Sequence, residues 1–463
     1  MRSLHAQLRA AILDGRLAPG VQLPSTRRVA QAHGIARNTV MAAYDLLVAE
    51  GYVLPRPGAK AVVADFATRS PRRRKAAPAR IADPRINPLW GAPSPAFAPR
   101  IELPERSFRL GIPEYRHFPH EAWRRLSART LRAWSRRPFG YAPSQGIAEL
   151  REAIARHVAF TRAVACGSDD VIVTSGAQQA FDLLARILVR AGQTRVAVED
   201  PGYPTFAAAF SAAGARLVPI PVDAEGMCVE RLPDDVRVVS VTPSHQSPTG
   251  AALSLRRRAA LLEFARARDA VVIEDDYDGE FRFGGRPLDA LQTLDRDARV
   301  FYVGTFSKSL FPALRKGFVV APAWARDSLV AIKHVADSHS DTITQALLTA
   351  FIGEGHLARH VRRMRPIYAA RRRALLDALR RDLDAWLEPI PSEAGLHLAA
   401  RIRDPSSADA IITHARRCTP GAQPVSEYST TQRVPPALAF GYGVIDAHDI
   451  PAALARLRRA LER

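Results

Sequence analysis

The sequence predicts a multidomain α/β protein, and three observations carry that expectation. From about residue 106 onward, seven short apolar, β-rich runs alternate with helical patterns, as in a mostly parallel sheet covered on both faces. Residues 1–65 read differently: helix, helix, turn, helix and a paired wing. Between the two, residues 66–105 hold the run Arg72-Arg73-Arg74-Lys75, then many Pro and Ala residues with little periodicity. That composition makes a linker stiffened by proline and extended by charge.

The N-terminal elements follow from local chemistry. Leu4, Leu8, Ala11 and Ile12 mark one face of a first helix, which Asp14-Gly15 and Pro19-Gly20 break. Ser25 is placed to cap a second helix opening at Thr26-Arg27-Arg28, and Gly34 makes the turn. Arg37-Asn38-Thr39-Val40 opens a third helix that runs to Leu47 and stops at Gly51. Tyr52-Val53-Leu54, Pro57-Gly58 and Ala61-Val62-Val63 then form the wing. This is a winged helix-turn-helix, a fold that inserts the start of its third helix into the major groove.

The sheet runs are Val171–Thr174, Arg195–Glu199, Arg216–Val222, Val236–Thr242, Ala270–Glu274, Val300–Gly304 and Lys316–Ala321, so seven strands are expected. The 463 residues are 47% hydrophobic and 24% charged, which excludes collagen-like, coiled-coil and largely disordered chains. No run approaches 18 apolar residues, and the start resembles no secretory signal. Three distant cysteines, Cys166, Cys228 and Cys418, suit neither a disulfide framework nor a metal site. A reduced, cytoplasmic setting is expected.

The formal charge is +20, and residues 1–100 carry 16 Lys+Arg against 5 Asp+Glu, more than half of the excess. A basic segment concentrated in this way attracts a phosphate backbone, so nucleic acid is the expected partner.

Only five lysines occur, none between Lys75 and Lys308. Lys308 follows an apolar strand in "FYVGTFSKSLFPALRKGFVV", next to Ser307. An amine held beside an apolar sheet and other positive groups loses proton affinity and suits a Schiff base. Lys316 reads instead as a solvated strand-edge charge and Lys333 as a helix-surface one. "AVVIEDDYDGEF" sets Asp275 and Tyr277 at a strand end, where a carboxylate can keep a pyridine nitrogen protonated and a phenol can reach its 3-oxygen. "VTSGAQQAFDLL" puts Gly176, Ala177 and Gln178 at a strand-to-helix turn that favours a phosphate. Tyr203 in "EDPGYPTF" can stack on a ring, and Arg315 offers a bidentate phosphate partner. All lie beyond carboxyl ends of strands, where open α/β sheets bind ligands.

"LAPGVQLPSTRRVAQAHGIARNTVMAAYDLLVAEGYV" resembles the GntR-family winged helix. The resemblance implies that Arg27 lies against the operator backbone, that Arg37, Asn38 and Thr39 face bases and phosphates, and that Gly58 marks the wing tip. "FRLGIPEYRHFPHEAW", "GYAPSQGIAELREAIARHV" and "EGHLARHVRRMRPIYAARRRALLDAL" resemble a fold-type I aminotransferase. Together the two parts look like a MocR-type regulator. That likeness implies pyridoxal 5'-phosphate held on Lys308, a small α+β subdomain from about 350 to 463 within an aminotransferase-like unit over 106–463, and a head-to-tail homodimer. The partners it implies are operator DNA and an amine or amino-acid effector, or the cofactor itself.

Two positions depart from an enzyme's pattern. Ser247 in "SHQSPTG" stands where transaminases carry Asn, and Ala437 in "PPALAFGYG" stands where they carry a carboxylate-gripping Arg, with Arg433 nearby. Both favour sensing over turnover. His245 and Gln246 sit at the mouth of the site, where a lone His is more often a satisfied loop residue than a catalyst. A working aminotransferase with an accessory DNA module and a nucleic-acid binder with a mere dimerisation scaffold remain the competing readings.

Overall fold

The computed structural model describes residues 2–55, 60–65, 85, 107–136, 140–284, 289–431 and 433–462. Gly58, and all of 66–105 except Arg85, lie outside the described residues. The chain divides into two compact units, Met1–Pro93 and Ser94–Arg463.

The first unit holds helices α1 (Arg2–Leu13), α2 (Thr26–His33) and α3 (Arg37–Ala49) and the strands β1 (Val53–Leu54) and β2 (Val62–Val63). Ser25 caps α2 by accepting from the Arg28 N–H at 3.3 Å, and Gly34 ends it at a φ of 62°. The strands pair antiparallel, Val53 opposite Val63. Leu4, Ile12, Leu23, Val29, Val40, Leu47, Val53 and Val63 form this unit's own core. The Tyr44 hydroxyl closes it by donating to the Pro24 carbonyl at 2.9 Å.

The second unit is built on a sheet of eight strands: β3 (Val171–Thr174), β4 (Arg195–Asp200), β5 (Arg216–Asp223), β6 (Gly226–Met227), β7 (Val236–Val241), β8 (Val271–Asp276), β9 (Val300–Thr305) and β10 (Gly317–Val320). Their order is β3-β10-β9-β8-β7-β4-β5-β6. The central strands run parallel, while β10 lies antiparallel to both β3 and β9. The expected seven strands are all present. The eighth, β6, is a two-residue hairpin return at the end of β5, too short to carry a periodicity. Apolar side chains pack both faces: Phe181, Leu184, Phe210 and Leu329 on one, Leu261, Leu291 and Val229 among those on the other.

A second, antiparallel sheet follows in the order β11-β12-β14-β13. Its strands are β11 (Leu387–Pro389), β12 (His397–Ile402), β13 (Gln423–Pro424) and β14 (Ala437–Gly441). The 27-residue helix His356–Asp382 leads into it. Glu114 and Arg371 tie the segment after residue 107 to this region: Arg371 bonds to the Glu114 carboxylate and the Gly443 carbonyl, and to Asp446 at 2.8 Å. Hydrogen bonds from Arg116 and Arg371 outweigh burial, the largest single influence, and hold the Glu114 carboxyl at about 2.

Lys316 and Lys333 contradict the expectation of solvated charges, since both are buried. Lys333 lies on the helix Arg326–Asp337, which packs against the helix Ala177–Leu188, and it pairs with Asp337 of its own helix at 2.7 Å. Helical periodicity alone could not show which face that neighbour would cover.

Candidate functional site

A cavity of about 220 Å³ opens at the carboxyl ends of the parallel strands, and Ala177, Gln178, Tyr203, Asp275, Tyr277, Ser307, Lys308 and Arg315 all line it. These residues come from five separate segments of the chain. The sheet brings them together because they lie at or just beyond the carboxyl ends of parallel strands on one edge, where the antiparallel β10 begins just after Arg315.

One end of the cavity is built for an anion. Gly176, at a φ of 82°, turns the chain from β3 into the helix Ala177–Leu188, and no side chain caps that helix. Its first N–H groups and the positive end of its dipole therefore remain available. The Arg315 guanidinium donates to the Ser175 carbonyl at 2.7 Å and crosses directly over Gly176. A Cβ on Gly176 would stand 3.0 Å from it, so only glycine lets the charge approach the helix start. Ser307, which lines the same cavity, accepts from the Thr305 hydroxyl at 2.9 Å.

The other end carries the titratable groups. Asp275 is the penultimate residue of β8, and its buried Oδ1 has no hydrogen-bond partner among the described residues. Burial, then the neighbouring Asp276, pushes its carboxyl well above the usual range, while Lys308 pulls it back. Arg162 offsets Asp276 with a bond at 2.6 Å. A buried, unpaired carboxylate is costly unless a ligand supplies the donor. A protonated pyridine nitrogen is such a donor, so the residues present fit pyridoxal phosphate.

Lys308 donates through Nζ to the Gly111 carbonyl at 2.7 Å, and burial lowers its proton affinity. Tyr277 donates its hydroxyl to the His245 carbonyl at 2.9 Å and so keeps its lone pairs for another donor. Tyr203 caps the helix Pro204–Ala212 and stays 41% exposed, leaving its ring open to the cavity while its edge meets Phe181. Ser247 lines the cavity, whereas Ala437 is buried in β14 and Arg433 is exposed on the preceding loop.

Several lining residues escaped sequence reasoning: Gly111, Thr305, His397 and Tyr428. Gly111 lies 197 positions before Lys308, and His397 opens an antiparallel strand with no motif of its own. Nothing local marks them. His245, expected as a satisfied loop residue, is a buried loop residue bonded to Asp278 at 3.0 Å.

In the first unit Arg27, Arg37 and Asn38 are exposed and Thr39 is half-buried, at the starts of α2 and α3. Ala36 leaves the α3 N-terminus without a side-chain cap. Arg37 donates through Nε to the Thr26 hydroxyl at 3.4 Å, joining the two helix starts.

The site and the fold define a class: an aminotransferase-type ligand unit in one chain with a winged helix. The family described as "Aminotransferase class I and II" matches residues 106–437, and "Bacterial regulatory proteins, gntR family" matches residues 2–63. The chain is 36% identical over 461 residues to the "Probable rhizopine catabolism regulatory protein MocR" of Rhizobium meliloti, covering 99% of this chain and 93% of the relative. It is 30% identical to the "HTH-type pyridoxine biosynthesis transcriptional regulator PdxR" of Corynebacterium glutamicum, covering 99% and 95%. Among solved structures, LysN, the α-aminoadipate aminotransferase of Thermus thermophilus complexed with N-(5'-phosphopyridoxyl)-L-leucine, matches with a TM-score of 0.70 and 30% identity, over 77% of this chain and 92% of that one. The chain belongs to the MocR-type family of transcriptional regulators, a GntR winged helix joined to a class I and II aminotransferase unit. Among the described residues no helix is long and apolar enough to cross a membrane.

Proposed function

We propose that this chain is a cytoplasmic, DNA-binding transcriptional regulator that holds pyridoxal phosphate and responds to a small amine or amino acid, or to the cofactor itself. The observation that carries the reading is the meeting of Lys308 with the unpaired Asp275 in one cavity, in a chain that opens with a winged helix. Lys308 anchors the cofactor, Asp275 accepts from its ring nitrogen, and Tyr203 lies against the ring. Gly176, Ala177, Gln178, Ser307 and Arg315 hold the phosphate, and Tyr277 reaches the 3-oxygen. When bound, the cofactor supplies an aldehyde that a primary amine can attack and a ring that withdraws electrons.

The Lys308 amine is the group an effector amine must replace. Once replaced, it is free to return to the Gly111 carbonyl, so the segment around Gly111 senses the exchange. That segment is bonded into the second sheet through Phe108 and Gly441. Differential contacts of this kind are what an effector needs to shift a two-state equilibrium. Arg27 secures the operator backbone while Arg37, Asn38 and Thr39, with Gly58 on the wing, read the site. Residues 1–65, 66–105 and 106–463 serve as DNA-binding module, linker and effector unit, the last with its small subdomain from about 350 and joined head-to-tail in a homodimer. Ser247 and Ala437 at positions where transaminases carry Asn and Arg favour sensing over turnover.

The test is an absorbance spectrum of the purified protein with added pyridoxal phosphate, followed by a panel of amines, with an operator-binding assay in parallel. Amine-dependent change in both the cofactor band and operator affinity is expected. Rapid full conversion to the aminated cofactor, with no effect on DNA, would instead identify a working aminotransferase.

A further inference from the structure

The 27-residue helix His356–Asp382 carries a feature that the cofactor site does not use. One face of it packs inward through Leu357, Val361, Met364, Tyr368, Leu375 and Leu379. The opposite face exposes Arg359, Arg362, Arg363, Arg373, Arg380 and Arg381, against the single exposed acid Asp377. At 3.6 residues per turn these arginines fall within one arc of about 100°, and at about 1.5 Å per residue they extend over about 33 Å.

The other arginines of the helix hold the fold together. Arg365 donates to the Glu280 carbonyl at 3.0 Å, Arg371 holds Glu114 and Asp446, and Arg372 bonds to the Ser392 carbonyl. On the exposed face, Arg359 donates to the Glu354 carbonyl at 2.8 Å and Arg381 pairs with Asp382 at 2.7 Å. Arg362, Arg363, Arg373 and Arg380 pair with no acid among the described residues. Surface helices elsewhere in this unit set an acid three or four residues before an arginine: Glu121 with Arg124 at 2.8 Å, Asp182 with Arg186 at 3.0 Å, Glu263 with Arg266 at 2.8 Å. Here the same spacings set Arg359 against Arg362 and Arg363, a like-charge arrangement that costs helix stability. An arginine-rich composition accounts for exposed arginines, but not for a face with six of them to one acid. A row of phosphates is what offsets such a face.

We propose that this arginine face is a second DNA-binding surface, carried by the aminotransferase-type unit itself, and that it takes the sugar–phosphate backbone of operator duplex outside the winged-helix half-sites. Guanidinium groups bind phosphate oxygens bidentately and carry no sequence information when they do. A face of about 33 Å spans about one turn of B-DNA, and so several successive phosphates. Pro366 and Ala370 fill the space between the arginines. The exposed face holds no Asn or Gln to read a base edge and no ring to stack an unpaired base, which favours duplex backbone over bases or single strands. The apolar face of the helix is already buried in the core, so it has none to lay into a lipid surface. The helix Asp449–Leu461 adds to the patch: its Arg458 lies 3.7 Å from Asp382, and the next residue, Arg459, is exposed.

The inference rests on the chain binding operator DNA, and its test separates the two. An operator duplex is selected from a random-sequence library with the full-length protein. It is then either trimmed to its half-sites or extended by about two turns of random sequence on each side. Affinity for both duplexes is measured by fluorescence anisotropy at several salt concentrations, for wild type and for the variant Arg362→Gln/Arg363→Gln/Arg373→Gln/Arg380→Gln. Glutamine preserves helix propensity, and none of the four residues lines the cofactor cavity. Wild type is expected to bind the extended duplex about tenfold or more tightly than the trimmed one at low salt, with a salt slope steeper by about three. The variant loses that gain while keeping its affinity for the trimmed duplex and its cofactor absorbance. If the quadruple variant does not fold, Arg362→Gln/Arg363→Gln and Arg373→Gln/Arg380→Gln each lose about half of the added slope. A gain that survives in the variant, as one supplied by Arg72-Arg73-Arg74-Lys75 would, overturns the assignment. So does a wild type that binds both duplexes alike, including one that instead binds vesicles of anionic phospholipid through these arginines. A wild type that selects no duplex overturns the DNA-binding reading on which this face depends.

Discussion

At the scale of single residues, burial decides which groups can do chemistry. Lys308 and Asp275 share a cavity in which each alters the other's charge. Among the described residues no other lysine lines it. Lys308→Ala is expected to lose the bound-cofactor absorbance and any adduct fixed by borohydride, measured on the purified variant with added pyridoxal phosphate. Retention of a fixed adduct would place the anchor elsewhere. Glu199 offers a test by pH. It accepts from the Thr242 hydroxyl at 2.6 Å, yet burial outweighs those bonds and raises its carboxyl to about 7. The folded chain therefore keeps a proton that the unfolded chain releases above its ordinary 4.5. Stability falls as pH rises through that window, by about 3 kcal/mol for this group. Glu199→Gln removes the dependence, so its melting temperature relative to wild type should rise between pH 5 and pH 8. A constant difference across that range would contradict the assignment.

At the scale of elements, the strands and the winged helix were legible in the sequence because each carries its own signal. Seven apolar runs bounded by turns matched seven strands, and Ser25, Gly34 and Gly51 punctuated helices as their chemistry requires. The strand-end motifs were readable too, since a parallel sheet collects carboxyl ends on one edge. Contacts across long sequence separations were not. Nothing near Lys333 announces the covering helix, and nothing near His397 announces the His245 ring 4.4 Å away. Gly395 belongs to this hidden set. Its φ of 81° and the His245 and Asp278 side chains pressed against it leave no room for a methyl group. Gly395→Ala should cost about 2 kcal/mol or more by thermal unfolding, and an unchanged melting temperature would refute the packing described. In the winged helix, Arg37→Ala should cost about 1–3 kcal/mol on cognate operator and relax preference at one base pair. Arg27→Ala should weaken cognate and scrambled DNA alike and reduce the salt slope by about one. Isotherms at several salt concentrations distinguish these, and equal losses on both DNAs for Arg37→Ala would make it a phosphate contact.

At the scale of the whole molecule, one chain carries two units with separate cores, and the proposed function requires that they communicate. The winged helix has its own packed interior, so residues 1–65 should bind a half-site weakly, while a dimer of the full chain gains by linking two events. Equal affinity for fragment and full chain would contradict a dimeric reader. The most direct test of the central claim is fluorescence anisotropy of labelled operator with cofactor-loaded wild type and Lys308→Ala, each titrated with an effector amine found in the panel. Lys308→Ala is expected still to bind operator but no longer to respond to the amine, while wild type does. An equal response from both proteins would contradict it.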